Sequence, residues 1–91
     1  MPTKGNKGAE YELTKHAQDV LARRKIPAAW VQEIISRPTL REPDQVDAEL
    51  EHRLGRIVQH GNRVLRVVVI KRTSPVKVVT AFFDRKMRDK I

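Results

Sequence analysis

The sequence predicts an α+β domain in which two N-terminal helices pack on one face of a three- to four-stranded antiparallel meander sheet. Three observations predict it. Val64, Leu65 and Val67 to Ile70, then Val76 and Val78 to Phe83, form two largely β-branched runs separated by Thr73, Ser74 and Pro75, which is the pattern of a hairpin. Ala17, Val20 and Leu21, then Trp30, Val31, Ile34 and Ile35, recur at helical spacing. The chain has 91 residues, 40% of them apolar, enough for one core. Apolar residues in adjacent strand positions also imply central strands with both faces at least partly covered.

Residues 1–8 are a Gly/Lys/Asn/Pro mixture that reads as a disordered tail, followed by one domain over residues 9–84 and a basic C-terminal tail over residues 85–91. Glu10 to Leu13 reads as a short first strand or an extended lead-in. Thr14 is a good N-cap for a helix through about Arg24, whose last turn carries Arg23 and Arg24. Ile26-Pro27 breaks it and starts a second helix, with Pro27 suited to the first helical position, ending before Pro38. Thr39 to Gln45 reads as a surface loop. Asp47 to His60 reads as a long exposed strand in which Gly55 is a candidate bulge. Gly61-Asn62 signals a tight turn into the hairpin. Asp84 to Ile91 is helical for at most a turn or two.

Charge is segregated along the chain. The net charge is +8, but residues 38–51 set one base against five acids, while residues 52–91 set eleven bases against two acids. A basic half of this kind points to a polyanion partner. There is no cysteine, hence no disulfide framework or thiolate metal site. No P-loop, nucleophile elbow or Gly-rich cofactor loop is present, so no cofactor and no metal are expected. No segment approaches the length of a membrane span, and residues 1–8 lack the apolar stretch of a signal peptide, so a cytoplasmic protein without membrane contact is expected.

Several short motifs carry a family resemblance. They are Thr14-Lys15-His16-Ala17 at a helix start, the Arg24-Lys25-Ile26-Pro27 junction, and the Trp30-Val31 to Ile34-Ile35 helix ending at Arg37-Pro38. A basic strand, a Val-rich strand and Val78-Val79-Thr80-Ala81-Phe82-Phe83 follow. In that order, over residues 10–83, they resemble a bacterial domain family of unknown function related to the RelE/ParE toxin superfamily. The resemblance implies a compact toxin-like α+β fold, and a function in a toxin-antitoxin pair with a cognate acidic antitoxin. Some members of that superfamily cleave messenger RNA at the ribosome without a metal, and others act on gyrase.

Metal-free RNA cleavage needs a base for the ribose 2′-hydroxyl, cations for the charged transition state and an acid for the leaving oxygen. Arginine serves only as the cation, since it stays protonated. The candidate cations are Arg53, Arg56, Arg63, Arg66, Lys71 and Arg72, and residues 52–83 contain no acid to oppose them. His52, His60 and His16 are the candidate proton-transfer groups; for His16, at the edge of the first helix, a purely local structural role comes first and a catalytic or phosphate-contacting role second. No tyrosine lies near the C-terminus, where some RNA-cleaving relatives have one. The expected activity is therefore RNA-directed, with RNA or ribosome-associated RNA as partner and ribonuclease chemistry as one form of it. The alternatives are a non-catalytic module for nucleic acid or an acidic protein, and a ParE-like gyrase inhibitor. Arg85, Lys86, Arg88 and Lys90, interleaved with Asp84 and Asp89, read as a solvated end.

Overall fold

The computed structural model of this chain describes residues 11–91; the expected disordered tail over residues 1–8 lies outside them. In order come β1 (Tyr11–Leu13), α1 (Lys15–Arg24), α2 (Ala28–Ser36), β2 (Leu40–Pro43), β3 (Leu50–Ile57), β4 (Arg63–Ile70) and β5 (Val76–Phe83), with 3-10 turns at Val58–His60 and Arg85–Met87. The class is α+β, as the pattern predicts. The sheet, however, has five strands among the described residues, in the order β1-β5-β4-β3-β2. It is mixed: β1 runs parallel to β5, with Tyr11 beside Val76 and Leu13 beside Val78, and the other pairs are antiparallel.

Two further expectations are corrected. Thr39 to Gln45 is largely edge strand β2, because Leu40 to Pro43 pair with Leu54 to Glu51 of β3. Pro43 is tolerated because it lies on an edge strand. The long strand from Asp47 to His60 is shorter, running from Leu50 to Ile57, and Gly55 is no bulge. Gly55 lies flat under α2, where a Cβ would come within 2.8 Å of Ile34 Cδ1. The register shift falls instead between β4 and β5: Val68 faces Thr80 and Val69 faces Val78, leaving Val79 over. That extra residue puts Val76 and Val78 on the same face as Ala81 and Phe83.

Local chemistry sets the helix ends. Thr14 Oγ1 accepts from the Ala17 amide at 3.1 Å and donates to the Val78 carbonyl at 3.1 Å, so the N-cap also ties α1 to β5. Lys25 closes α1 in the left-handed region, its amide bonding Ala22, while the Ile26 amide bonds Leu21. Arg24 Nη1 donates to the Ala81 carbonyl at 2.8 Å, fixing the other end of α1 to the same strand. Pro27 is the N-cap of α2 rather than its first residue.

The main core lies between the helices and one sheet face. Ala17, Leu21, Val31, Ile34 and Ile35 meet Ile57, Leu65, Val67, Val69, Val78 and Ala81, with Trp30 and Phe83 packed at its margin. Burial of a side chain of this size contributes about 1.5–3 kcal/mol. The face away from the helices is also covered in part, as adjacent apolar positions predict: Leu54, Val64 and Val68 are buried there. The Arg85–Met87 turn folds back on β4 at that end. After the Val58–His60 turn, Gly61 and Asn62 reverse the chain at φ 64° and 59°, values that glycine and asparagine accept most readily.

Candidate nucleic-acid interface

Side-chain alternation separates the predicted cations. On β3 and β4, Arg56 pairs with Val64 and Arg66 with Leu54, on the face away from the helices. Arg53 has the opposite parity and faces α2. Its Nε donates to Glu51 Oε1 at 2.9 Å and its Nη1 to the Ile35 carbonyl at 3.2 Å. Arg41 holds the same carboxylate at 3.2 Å. Glu51 is buried, which opposes ionisation, yet the two guanidiniums outweigh that and hold its carboxyl below the usual range. Lys71 and Arg72 are exposed in the β4–β5 turn, where Arg72 pairs with Glu49 at 3.0 Å. The rest of β4, Val64 to Ile70, separates that turn from Arg63 by about 25 Å.

Arg66 is the hub of the open face. Its Nε and Nη2 reach Asp84 Oδ2 at 2.9 and 2.8 Å, and its Nη1 reaches His52 Nδ1 at 2.7 Å and Glu42 Oε1 at 3.3 Å. Because arginine can only donate, His52 Nδ1 accepts, and His52 Nε2 carries the proton that it donates to Asp44 Oδ1 at 2.7 Å. Asp44 is held down to about 2, first by the Asp47 amide, then by His52 and the Val46 amide. The unopposed positive field expected of residues 52–83 is corrected here: Glu42, Asp44, Glu51 and Asp84 supply the missing acids from just outside that span. A hollow of about 570 Å³ above this network is lined by Glu42, Pro43, Asp44, Gln45, Val46, His52 and Arg66, where the one guanidinium is already engaged by Glu42 and Asp84.

A second cleft has the opposite character. Arg63, Val64, Phe83, Asp84, Arg85 and Arg88 line a space of about 370 Å³ at the sheet end where β4 begins and β5 finishes. Arg63, Arg85 and Arg88 are exposed and their side chains make no ion pair among the described residues. The Asp84 carboxylate is engaged by Arg66 and by the Lys86 amide at 3.0 Å. Phe83 continues from the cleft into a cluster of rings, with His60 4.9 Å from Phe83 and 5.0 Å from Trp30, centroid to centroid. The ring nitrogens of His60 have no hydrogen-bond partner among the described residues. His16 is exposed on α1, on the helix side of the sheet, away from the His52–Arg66 network. The three histidines therefore occupy three separate places.

Three guanidiniums without an ion pair among the described residues, set beside Phe83, can neutralise a phosphodiester backbone. Arg85 and Arg88 were not among the expected cations. Their signal was their spacing: three residues apart after Asp84, which caps the turn with its own side chain, they lie on one side of a helical turn. Among the described residues, no group of three His, Asp or Glu is placed to hold a metal, and no helix is long and apolar enough to cross a membrane.

No curated protein and no solved structure matches the chain. A family model, the domain of unknown function DUF4258, matches residues 13–83. That span runs from the end of β1 to the end of β5 and takes in both helices and strands β2 to β5, so the chain belongs to the DUF4258 family.

Proposed function

We propose that this protein is a toxin-like, RNA-directed member of its family, related to the RelE/ParE toxins, and that it takes single-stranded RNA in the Arg63–Arg85–Arg88 cleft. The observation that carries this reading is a cluster of three arginines without acidic partners among the described residues, set around Phe83. Elsewhere on the sheet the predicted cations are absorbed: Arg53 by Glu51, and Arg66 by Asp84, Glu42 and His52. The order of helix pair and antiparallel strands fits the resemblance in the sequence, and an acidic antitoxin would compete with RNA for the same guanidiniums. Binding is the primary activity, because arginine cannot exchange a proton. Cleavage is a second reading favoured by one observation, the His60 ring beside Phe83, whose nitrogens have no hydrogen-bond partner among the described residues.

Fluorescence anisotropy with a labelled single-stranded RNA tests both readings, run with a chelator and followed by gel analysis of the RNA. Salt-sensitive binding weakened by Arg63→Ala and Arg85→Ala is expected. Binding indifferent to both substitutions refutes the proposed cleft. RNA that stays intact assigns binding alone, and cleavage abolished by His60→Ala assigns the second reading. Expression of the protein without an antitoxin should arrest growth, and Arg63→Ala/Arg85→Ala should relieve the arrest.

A further inference from the structure

Arg56 lies on the open face one strand away from the cleft, and its sequence position suggests a phosphate contact. Its guanidinium is already committed. Nη1 donates to the Asn62 carbonyl at 2.9 Å, Nε and Nη2 donate to the main-chain oxygen of Ile91 at 2.9 and 2.6 Å, and Nη2 also reaches the Arg88 carbonyl. Asn62 immediately precedes Arg63 on one wall of the cleft, and Arg88 belongs to the other. Val64, the cross-strand partner of Arg56, lies in the lining between them.

We infer that Arg56 is a positioning residue that clamps the β3–β4 turn to the C-terminal segment, and so fixes Arg63 and Arg88 at one separation. It does not itself touch RNA. A planar fork of donors can span three carbonyl groups from one side chain, and a lysine ammonium on a flexible stem cannot. The consequence for RNA rests on the reading above; the clamp does not.

The test uses the full chain with Arg56→Lys, Arg88→Ala and the double variant, each checked for folding by thermal denaturation. Arg56→Lys keeps the charge and loses the fork. Trypsin should nick its Arg85–Lys90 segment about tenfold faster than in the wild type, since local opening sets that rate. It should bind single-stranded RNA as weakly as Arg88→Ala, and the double variant should be no weaker than either. Wild-type RNA affinity in Arg56→Lys, or losses that multiply in the double variant, would overturn its role in positioning the RNA contacts in favour of a direct charge contact, and an unchanged nicking rate would overturn the clamp itself. If the wild type binds no RNA, the cleft reading fails and proteolysis decides the clamp alone, with an unchanged nicking rate overturning it. If Arg56→Lys does not fold, amide exchange on the wild type replaces it. The Arg88 and Lys90 amides, which donate to Arg85 and Met87, should be slowed, and exchange at the unprotected rate overturns the inference.

Discussion

Replacing Arg66 with methionine should cost stability, although Arg66 occupies a position expected to contact nucleic acid. Methionine keeps much of the apolar stem and removes the guanidinium, whose side chain is 12% exposed. Asp84, 14% exposed, loses two charged hydrogen bonds, and His52 Nδ1 loses its only donor among the described residues. Glu42, at 41% exposure, recovers water and contributes little. A charge-assisted pair contributes about 1.5–3 kcal/mol and an orphaned acceptor costs about 1 kcal/mol or more. The expected loss is therefore about 3 kcal/mol, equivalent to roughly 12–24 °C in Tm for a chain of this size. Urea unfolding followed by circular dichroism measures it, with Arg63→Met as the control. Arg63 is exposed and has no ion-pair partner among the described residues, so that control should stay within about 0.5 kcal/mol. A loss below about 1 kcal/mol in Arg66→Met at unchanged m-value would refute the claim that Arg66 is a structural hub.

Three other outcomes are expected. Gly55→Ala should destabilise by about 1–3 kcal/mol, because its Cβ meets the buried Ile34 Cδ1 at 2.8 Å; adding Ile34→Val should cost less in that background than alone, and strict additivity in thermal melts refutes the contact. On the proposed reading, in which Arg63, Arg85 and Arg88 each neutralise one phosphate, the slope of log K against log salt for single-stranded RNA should be about −2, so raising salt from about 50 to about 200 mM weakens binding roughly 20-fold; a slope near zero excludes an electrostatic site. Asp44 is depressed in the folded state relative to its ordinary 3.8, so the stability it adds is present above about pH 4 and is lost as pH falls towards 2; Asp44→Asn should flatten that limb of the acid-unfolding curve, and an unchanged limb refutes the assignment.

The helices and the central hairpin were legible because their determinants are local. Thr14 caps, Pro27 restarts, and Val31, Ile34 and Ile35 share one face within a few residues of each other. Leu40-Arg41-Glu42-Pro43 carries no such signature: it is a strand only because Leu54 to Glu51 offer it a ladder. The parallel pairing of β1 with β5 joins residues from opposite ends of the sequence, and no local pattern encodes it. The same distinction governed the site. Counting charge by segment found the basic half, but Arg66 is neutralised by Glu42 and Asp84, neighbours across strands and at a strand end. Arg63 was legible as a free cation. Arg85 and Arg88 were not, because their importance comes from the fold-back of the turn against β4.

The pairing of the edge strand β1 with β5 has a consequence during synthesis. Chains emerge from the ribosome N-terminus first, so β1, α1 and α2 exist before the surfaces they bury against. Pairing segments so distant in sequence is slow compared with forming the helices themselves. Thr14 has no Val78 carbonyl to hold until β5 is made. Phe83 ends that strand and Arg85 and Arg88 follow it, so the cleft and the five-stranded sheet arrive together. A nascent chain of this protein cannot assemble its arginine cleft before β5 has been made.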